Sequence, residues 1–340
     1  MRTGDLVELR APAEILSTLD SDGCADGLPF MPEMLAFYGR RFRVAARVER
    51  ACDTHLWSGT RRFEHTVTLD DLRCDGSAHE GCGAKCRLFW RETWLRSVAD
   101  DSSTESYGAF SADAAFEELE ELSRKGTTRP SDGPETLFRC QATELLRASA
   151  RVRWWSPLSL WRELYSGNVG LRRFVRVMAG AVAHLVRRRL LRRRVVPQLA
   201  ERDGESTATA RGLGVGQLVR VRSREEIAQT LDASGKTRGL HFDFPEMGPY
   251  CGRTSRVLSR VGRFIDEPSG KMVELSSDAY ILEDFACSGD HAPKRWFCPR
   301  GIYAWWRESW LEPLGGGGDG ATTVPHAPTV TMSACSCVRR

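Results

Sequence analysis

One stretch, from Cys74 to Leu95, constrains the fold of this chain most strongly because it combines closely spaced cysteines with an aromatic run. It reads CDGSAHEGCGAKCRLFWRETWL, and a later stretch from Cys287 to Leu311 reads CSGDHAPKRWFCPRGIYAWWRESWL. Each stretch contains a Cys/His cluster and ends in the pattern W-R-E-x-W-L. Two such clusters with the same ending indicate a duplicated unit that holds a metal ion.

The duplication extends upstream of the two clusters. The matched pairs are Gly27-Leu28 with Gly239-Leu240, Phe30 with Phe242, Glu33-Met34 with Glu246-Met247, Cys74 with Cys287 at a shift of 213 (287 − 74), and Trp90 with Trp306 at a shift of 216 (306 − 90). Repetition over this length predicts two homologous domains. We call residues 1–98 module one and residues 213–313 module two.

Each module contains several short strand patterns, one short helix and many Gly and Pro turns, which predicts an α+β chain of two small, partly open β-barrels. The opening G-D-x-V-x-L-R strand of module one resembles that of an SH3-like barrel. Between the modules we expect an acidic helix and disordered linker (99–135), a helical arginine-rich connector (136–199) and a linker (200–212), and after them a disordered tail (314–340). The predicted helices are Ser111–Lys125, Leu137–Ala150, Ser156–Tyr165 and Leu171–Arg194.

Several strings outside the tail resemble those of an uncharacterised family of bacterial tandem-module proteins. They are GLPFMPEML, YGRRFRV and LRCDGSAHEGC in module one, and GLHFDFPEM, PYCGR, FCPR and YAWWRESWL in module two. The resemblance implies a tandem organisation and carries no activity with it. It also implies a cysteine at the position where this chain has Tyr38.

Composition favours a soluble cytoplasmic protein that could also act at a membrane surface. The net charge is only +4, so binding to nucleic acid would require a local patch of positive charge. The N-terminal sequence has no apolar signal-peptide core, and the run Val177 to Val186 is too short for a membrane span. In the cytoplasm, clustered cysteines indicate metal binding more often than disulfides.

Thiolate and imidazole side chains at close spacing are the ligands that tetrahedral zinc prefers. The candidate ligands in module one are Cys74, His79, Cys82 and Cys86, with Cys52 as a rival for one position, and those in module two are Cys251, Cys287, His291 and Cys298. A set of four ligands in each module predicts about two zinc ions. The ions are expected to be structural, because a catalytic zinc keeps one position open for water. The alternative is that these cysteines are small buried hydrophobic residues.

The connector contains a strongly basic predicted helix with nine arginines and no acidic residue between Leu171 and Arg194. Its expected apolar stripe is Phe174, Val175, Met178, Val182 and Leu185. The arginines that could contact a polyanion or a membrane are Arg172, Arg173, Arg176, Arg187, Arg188, Arg189, Arg192, Arg193 and Arg194. Three interpretations stay open: packing on the modules, an anionic membrane surface, and, less favoured, nucleic-acid phosphates.

The sequence contains no P-loop, dinucleotide-binding or G-x-S-x-G motif, so no catalytic residues are assigned. Trp90 and Trp94, like Trp306 and Trp310, would share a helix face as a binding platform, although buried core is the favoured interpretation. We therefore predict a non-catalytic, zinc-stabilised binding or scaffold protein with a protein partner. The alternatives are an enzyme or accessory protein of a biosynthetic pathway that uses the module-one cluster, or a peripheral membrane or polyanion adaptor.

Overall fold

The computed structural model describes residues 1–99, 114–131, 133–190, 212–291 and 294–314, and only the backbone of residues 71, 184 and 187–190. Within these ranges the chain is a mixed α/β protein with many antiparallel sheets and few helices. The linker residues 200–211 and most of the tail, including Cys335 and Cys337, lie outside the described residues.

The strands are short in module one and longer in module two. In chain order they are β1 (Leu6–Leu9), β2 (Cys24–Ala25), β3 (Leu28–Pro29), β4 (Arg41–Arg47), β5 (Ala51–Cys52), β6 (Thr60–Arg62), β7 (Thr66–Arg73), β8 (Arg87–Arg91), β9 (Leu95–Ser97), β10 (Thr128–Arg129), β11 (Leu137–Phe138), β12 (Ala150–Val152), β13 (Leu218–Val221), β14 (Lys236–Thr237), β15 (Leu240–His241), β16 (Thr254–Ile265), β17 (Met272–Ala286), β18 (Tyr303–Arg307) and β19 (Leu311–Pro313).

Each module is built around a five-stranded antiparallel sheet, and the two sheets have corresponding strand orders. The order is β8-β7-β4-β1-β9 in module one and β18-β17-β16-β13-β19 in module two. In β4 the buried Phe42 and Val44 alternate with the exposed Arg43, as a sheet with one covered face requires. Among the described strands the two edge strands of each sheet do not pair with one another, so the expected barrel does not close.

The α-helices are α1 (Pro12–Leu16), α2 (Ala114–Lys125), α3 (Pro157–Tyr165), α4 (Leu171–Leu190), α5 (Arg224–Ala228) and α6 (Phe244–Met247). Short 3₁₀ turns cover Pro32–Phe37, Glu92–Trp94, Gly248–Tyr250 and Glu308–Trp310. Three helices of the central region were therefore predicted correctly in type, since α2, α3 and α4 lie within their expected ranges. No helix of the described residues is long and apolar enough to cross a membrane.

The predicted helix Leu137–Ala150 is wrong. This segment forms β11, then irregular turns, then β12. The reason is tertiary pairing: the Gln141 side chain accepts the N–H of Phe89 at 2.7 Å and donates to the Phe89 carbonyl at 2.8 Å. The N–H of Phe138 also donates to the Gly270 carbonyl at 2.7 Å. These contacts hold the segment open against module one at Gln141 and against module two at Phe138, which overrides its amphipathic pattern.

The paired tryptophans are core residues, as the favoured interpretation predicted. Trp90, Trp94, Trp306 and Trp310 are all 0% exposed. They do not share a helix face, because the first of each pair lies in a strand and the second in a 3₁₀ turn. The indole N–H of Trp94 donates to Thr18 Oγ1 at 3.1 Å, so burial leaves no unpaired donor on that ring. The binding-platform alternative is therefore excluded by burial.

A buried polar group connects α3 to module one. Glu163 is 0% exposed, accepts a hydrogen bond from Asn168 Nδ2 at 2.8 Å, and lies near the buried guanidinium of Arg50. Burial raises the pKa of Glu163 to about 8, against the opposing effects of Asn168 and Arg50. The folded protein therefore retains a proton on Glu163 across neutral pH.

We expect Glu163→Gln to remove a pH dependence of stability. Between the ordinary pKa of 4.5 and the folded pKa of about 8, the folded state binds one proton more than the unfolded state, so this group lowers stability as pH rises. The free energy of unfolding of E163Q relative to wild type should increase by roughly 3 kcal/mol from pH 5 to pH 8, at about 1.4 kcal/mol per pKa unit. Urea unfolding at both pH values measures it. The exposed Glu225→Gln is the control, and an equal response of both variants would contradict the prediction.

Candidate metal centre

The loop between β7 and β8 carries three cysteines of module one, which line one cavity. Its two ends are paired, since the Cys74 N–H donates to the Cys86 carbonyl at 2.9 Å. Gly76 has a left-handed φ of 78°, and a Cβ there would lie 2.2 Å from the Cys82 carbonyl oxygen. Only glycine therefore permits this tight approach. The turn folds Cys82 back over the strand ends that carry Cys74 and Cys86.

The three thiols line a cavity of about 50 Å³ that opens to solvent, together with Cys140 of the connector. Its wall also includes His79, Gln141 and, from module two, Ile265, Arg300 and Ile302. Cys140 follows β11, and the bonds of Gln141 to Phe89 fix its place. Cys140 was not among the expected ligands, because its distance along the chain from the other cysteines gives no spacing signal.

The imidazole of His79, which is part of the cavity wall, pairs with the carboxylate of Glu33. Its Nδ1 lies 2.7 Å from Glu33 Oε1, its Nε2 lies 3.0 Å from the Arg139 carbonyl, and the Cys74 Sγ lies 3.4 Å from Glu33 Oε1. Burial is the largest single effect and opposes both charges, but the hydrogen bond and the charge attraction between the two groups, with smaller contributions from neighbouring hydrogen bonds, together outweigh it. The pKa of His79 is therefore raised and that of Glu33 is lowered. Both ring nitrogens are thus already engaged.

Glu33, Cys74 and His79 form a group that could bind a metal ion. One ligand atom from each lies within 4.8 Å of the others, and no other group of three or more such residues in the described ranges meets this distance. Glu33 Oε2 is buried and makes no hydrogen bond to the described residues. The expected set Cys74, His79, Cys82 and Cys86 shares the cavity but does not converge within that distance.

In module two, Glu246 is the repeat counterpart of Glu33. Its carboxylate binds backbone N–H groups of the loop that follows β17. Glu246 Oε2 accepts the N–H and hydroxyl of Ser288 at 3.2 and 3.1 Å, and Oε1 accepts the N–H of His291 at 2.9 Å. A glutamate at this position therefore positions the Cys loop. Glu33 was missed as a site residue, although its place in the repeat could have signalled it.

The expected ligands of module two are not brought together. Cys298 is buried, Cys287 and Cys251 are half-buried, and His291 is exposed. The Sγ of Cys298 accepts the N–H of Cys52 at 3.1 Å, so Cys298 meets a cysteine of module one. The four expected ligand atoms do not lie within 4.8 Å of one another. Cys52, the rival ligand of module one, thus lies beside the cluster of module two.

The Cys loop of module one makes the corresponding contact with module two. The Sγ of Cys82 accepts the N–H of Ile265 at 3.4 Å, and Ile265 is the repeat counterpart of Cys52 at a shift of 213 (265 − 52). The Cys loop of module one is further held by the bond from the Gly83 N–H to the Arg263 carbonyl at 2.9 Å. Each Cys loop therefore contacts the same strand position of the other module.

A buried arginine lies between the two clusters. Arg300 Nη1 donates to Thr54 Oγ1 at 2.7 Å and to the Cys52 carbonyl at 3.3 Å, and Nη2 contacts Glu267 at 2.8 Å. Thr54 also donates to Glu267, which closes the network. The guanidinium supplies a fixed positive charge near both groups of thiols.

The electrostatic surroundings keep most of these thiols protonated without a cation. Burial raises the pKa of Cys74, Cys86, Cys287 and Cys298, and it raises the pKa of Cys140 to about 11. Neighbouring thiols add to the effect in each of these residues, since Cys86 acts on Cys74 and Cys82 acts on Cys140. A bound divalent cation would reverse this balance and deprotonate them.

The basic helix packs with a face that differs from the expected one. Phe174, Val177, Met178 and Ala181 contact the cluster that contains Trp296 and Phe297. The expected stripe residues Val175, Val182 and Leu185 are instead 56%, 59% and 53% exposed, which corrects that part of the prediction. The difference arises because the helix buries one edge of its apolar half and leaves the other edge in solvent.

Only some of the predicted surface arginines can be placed. Arg173 binds Asp290 at 2.8 Å, Arg176 lies 3.8 Å from the same carboxylate, and Arg172 is exposed. The side chains of Arg187, Arg188 and Arg189, and the whole of Arg192, Arg193 and Arg194, lie outside the described residues. Two of the three described arginines thus face module two.

Comparisons with family models, curated proteins and solved structures find no match for this chain. Fold and site together define a mixed α/β protein with antiparallel sheets and a buried group, Glu33, Cys74 and His79, that could bind a metal ion.

Proposed function

We propose that this chain is a non-catalytic binding or scaffold protein made of two copies of one SH3-like module, held together by structural zinc. The corresponding strand orders of the two sheets support the duplication. The observation that carries the proposal is the cavity lined by Cys74, Cys82, Cys86 and Cys140 and completed by residues of module two. An ion there would join the connector to module one, beside residues of module two that complete the cavity wall.

The four thiols are of the type that zinc prefers, but their Sγ atoms do not lie within 4.8 Å of one another in this structure and would have to close around the ion. Four thiolates would then make a closed tetrahedral site, which is the structural rather than the catalytic arrangement. His79 supports the site through Glu33, because its two ring nitrogens already contact Glu33 and Arg139. The positive charges of Arg300 and Lys85 in the cavity wall offset part of the negative charge of a zinc ion with four thiolates.

Zinc content of cysteine variants tests the ligand set. We expect Cys140→Ser to lose one zinc ion per chain, while Cys24→Ser, a buried cysteine outside the cavity, loses none. Elemental analysis of the purified full chain measures both. If Glu33→Gln loses the ion and C140S keeps it, the ligands are Glu33, Cys74 and His79, and the four-thiolate site is wrong. If C140S folds and retains zinc but loses a catalytic activity that the wild-type protein has, the result would instead support the interpretation of this chain as an enzyme.

A second candidate function is binding to an anionic membrane surface through α3 and α4. Helix α4 exposes Arg172 and an apolar stripe. Helix α3 exposes Leu158, Trp161 and Tyr165, whose exposed fractions are 58%, 65% and 71%. The stripe of α4 comprises Leu171, Val175, Val182, Leu185 and Val186. Exposed apolar stripes beside arginines are typical of helices that lie in the membrane interface, and tryptophan favours the same zone.

Vesicle flotation tests this candidate with neighbouring residues. Val182→Asp places a charge on the exposed apolar stripe, whereas Ala183→Asp places the same charge beside it on the arginine side. We expect V182D to bind phosphatidylserine vesicles roughly tenfold more weakly than A183D, since one buried valine contributes about 1.5 kcal/mol or more. Equal recovery of the two variants, or equal binding of wild type to neutral vesicles, would remove the candidate.

A further inference from the structure

A pair of free cysteines lies at the contact between the two modules, outside the cavity of the proposed zinc site. Cys52 ends β5 of module one, and Cys298 lies in the loop before β18 of module two. The two residues are 4% and 6% exposed, and neither lines that cavity. The proposed zinc site therefore leaves this pair without a role.

The two thiols are in contact across the module boundary. The backbone N–H of Cys52 donates to the Cys298 Sγ at 3.1 Å, and the two side chains share a hydrogen bond. One arginine from each module fixes the backbone beside the pair. Arg50 Nε donates to the Trp296 carbonyl at 3.2 Å. Arg300 Nη1 donates to the Cys52 carbonyl at 3.3 Å. A bond between the two sulfur atoms thus requires rotation of side chains rather than movement of the modules.

The surroundings favour one thiolate beside one thiol. The hydrogen bond from the Cys298 thiol lowers the pKa of Cys52, and the guanidinium of Arg300, whose Nη1 lies 3.9 Å from the Cys52 Sγ, lowers it further against the effect of burial. Burial and the neighbouring Cys52 raise the pKa of Cys298. Cys52 is therefore the nucleophilic sulfur, and Cys298 is placed to attack it once it is oxidised.

We propose that Cys52 and Cys298 form a peroxide-sensitive disulfide site that joins the two modules covalently. The Cys52 thiolate attacks the hydroxyl oxygen of a peroxide, the O–O bond breaks, and the other oxygen takes a proton from solvent and leaves as water or an alcohol. The Cys298 sulfur then attacks the sulfur of the Cys52 sulfenic acid. The S–S bond forms, the S–O bond breaks, and the hydroxide leaves as water with the Cys298 proton. Two thiols are oxidised and one peroxide is reduced.

The site adds a regulated link to the proposed scaffold and does not depend on its zinc ion. The disulfide would join positions 246 residues apart (298 − 52), so it would restrict the unfolded chain over most of its length. We expect oxidation to raise the unfolding midpoint of the wild-type protein by roughly 5–10 °C and to leave that of Cys52→Ser unchanged.

Hydrogen peroxide treatment of the purified full chain tests the site, with thiol blocking followed by peptide mass spectrometry without reductant. We expect a linked pair of peptides that contains Cys52 and Cys298 and is released by dithiothreitol. Cys298→Ser should lose the link and accumulate a Cys52 sulfenic acid that dimedone labels. Cys298→Ala, which buries no hydroxyl, replaces it if C298S does not fold. Cys287→Ser is the matched control, because it removes a cysteine of the same loop and should keep the link.

The outcomes separate this proposal from the zinc site. Links confined to Cys74, Cys82, Cys86 and Cys140, or a link from Cys52 to Cys287, would overturn the disulfide site. Dimedone labelling of Cys298 in C52S that equals the labelling of Cys52 in C298S would overturn Cys52 as the nucleophile. A Cys52–Cys298 link that forms in a wild-type protein without zinc would support this site and overturn the zinc proposal. Zinc that depends on Cys140, with no link after peroxide, would do the reverse.

Discussion

Removal of zinc by a strong chelator is expected to lower the unfolding temperature of this protein by roughly 10 °C. At free zinc 1,000 times the dissociation constant, binding stabilises the folded state by about 4 kcal/mol, and each kcal/mol shifts the midpoint by about 2–4 °C in a chain of this size class. The physical reason is that the ion would join thiols of two segments far apart in sequence, the loop that carries Cys74, Cys82 and Cys86 and the segment that carries Cys140. Differential scanning calorimetry with and without chelator measures the shift.

The matched control for this experiment is Cys86→Ser, which removes a ligand and should abolish the response to chelator at that site. Restoring zinc to the wild-type protein should restore its midpoint. A wild-type midpoint that is unchanged by the chelator, with zinc confirmed as removed, would contradict a structural role for the ion.

Gly76→Ala is expected to destabilise the protein by at least about 2 kcal/mol more than Gly81→Ala. Both glycines have left-handed φ, 78° and 76°, so any side chain there costs about 1–2 kcal/mol. Only at Gly76 would the new Cβ overlap the backbone of Cys82, because nothing lies within 4 Å of the Cβ position at Gly81. The additional cost is that of overpacking a tight contact. Urea unfolding of both variants gives the difference.

The same substitution should also weaken metal binding, because Cys82 cannot keep its position if Gly76 carries a Cβ. We expect G76A to bind zinc at least tenfold more weakly than G81A in a competition with a chromophoric chelator, a difference of about 1.4 kcal/mol. Equal affinities would show that the Gly76 turn does not position Cys82 for the ion.

The repeat in the sequence predicted much of the local structure. Helix α3 was expected over Ser156–Tyr165 and lies at Pro157–Tyr165. The tryptophans of both W-R-E-x-W-L patterns were favoured as core, and burial confirms it. These features could be predicted because they depend on short-range periodicity and on apolar area, which a chain carries in any context.

The failures share one cause, which is contact between distant segments. The segment Leu137–Ala150 has a helical pattern, but Gln141 pairs with the backbone of Phe89 and holds it extended and turned. Most of the expected apolar stripe of α4 is exposed, because the helix packs through Phe174 and Val177 on the loop that contains Phe297. Such contacts depend on the position of another element in space, so periodicity alone cannot reveal them.

The amino-acid sequence by itself determined that the chain has two similar Cys-containing stretches that end in W-R-E-x-W-L, since those facts follow from residue identity and spacing. Tertiary structure alone decided which cysteines meet: Cys140 joins the cavity of module one, and Cys52 crosses to Cys298 of module two. The physical reason is that a metal ligand is defined by the position of its donor atom, and residues far apart in the chain reach the same point only through packing of the elements that carry them.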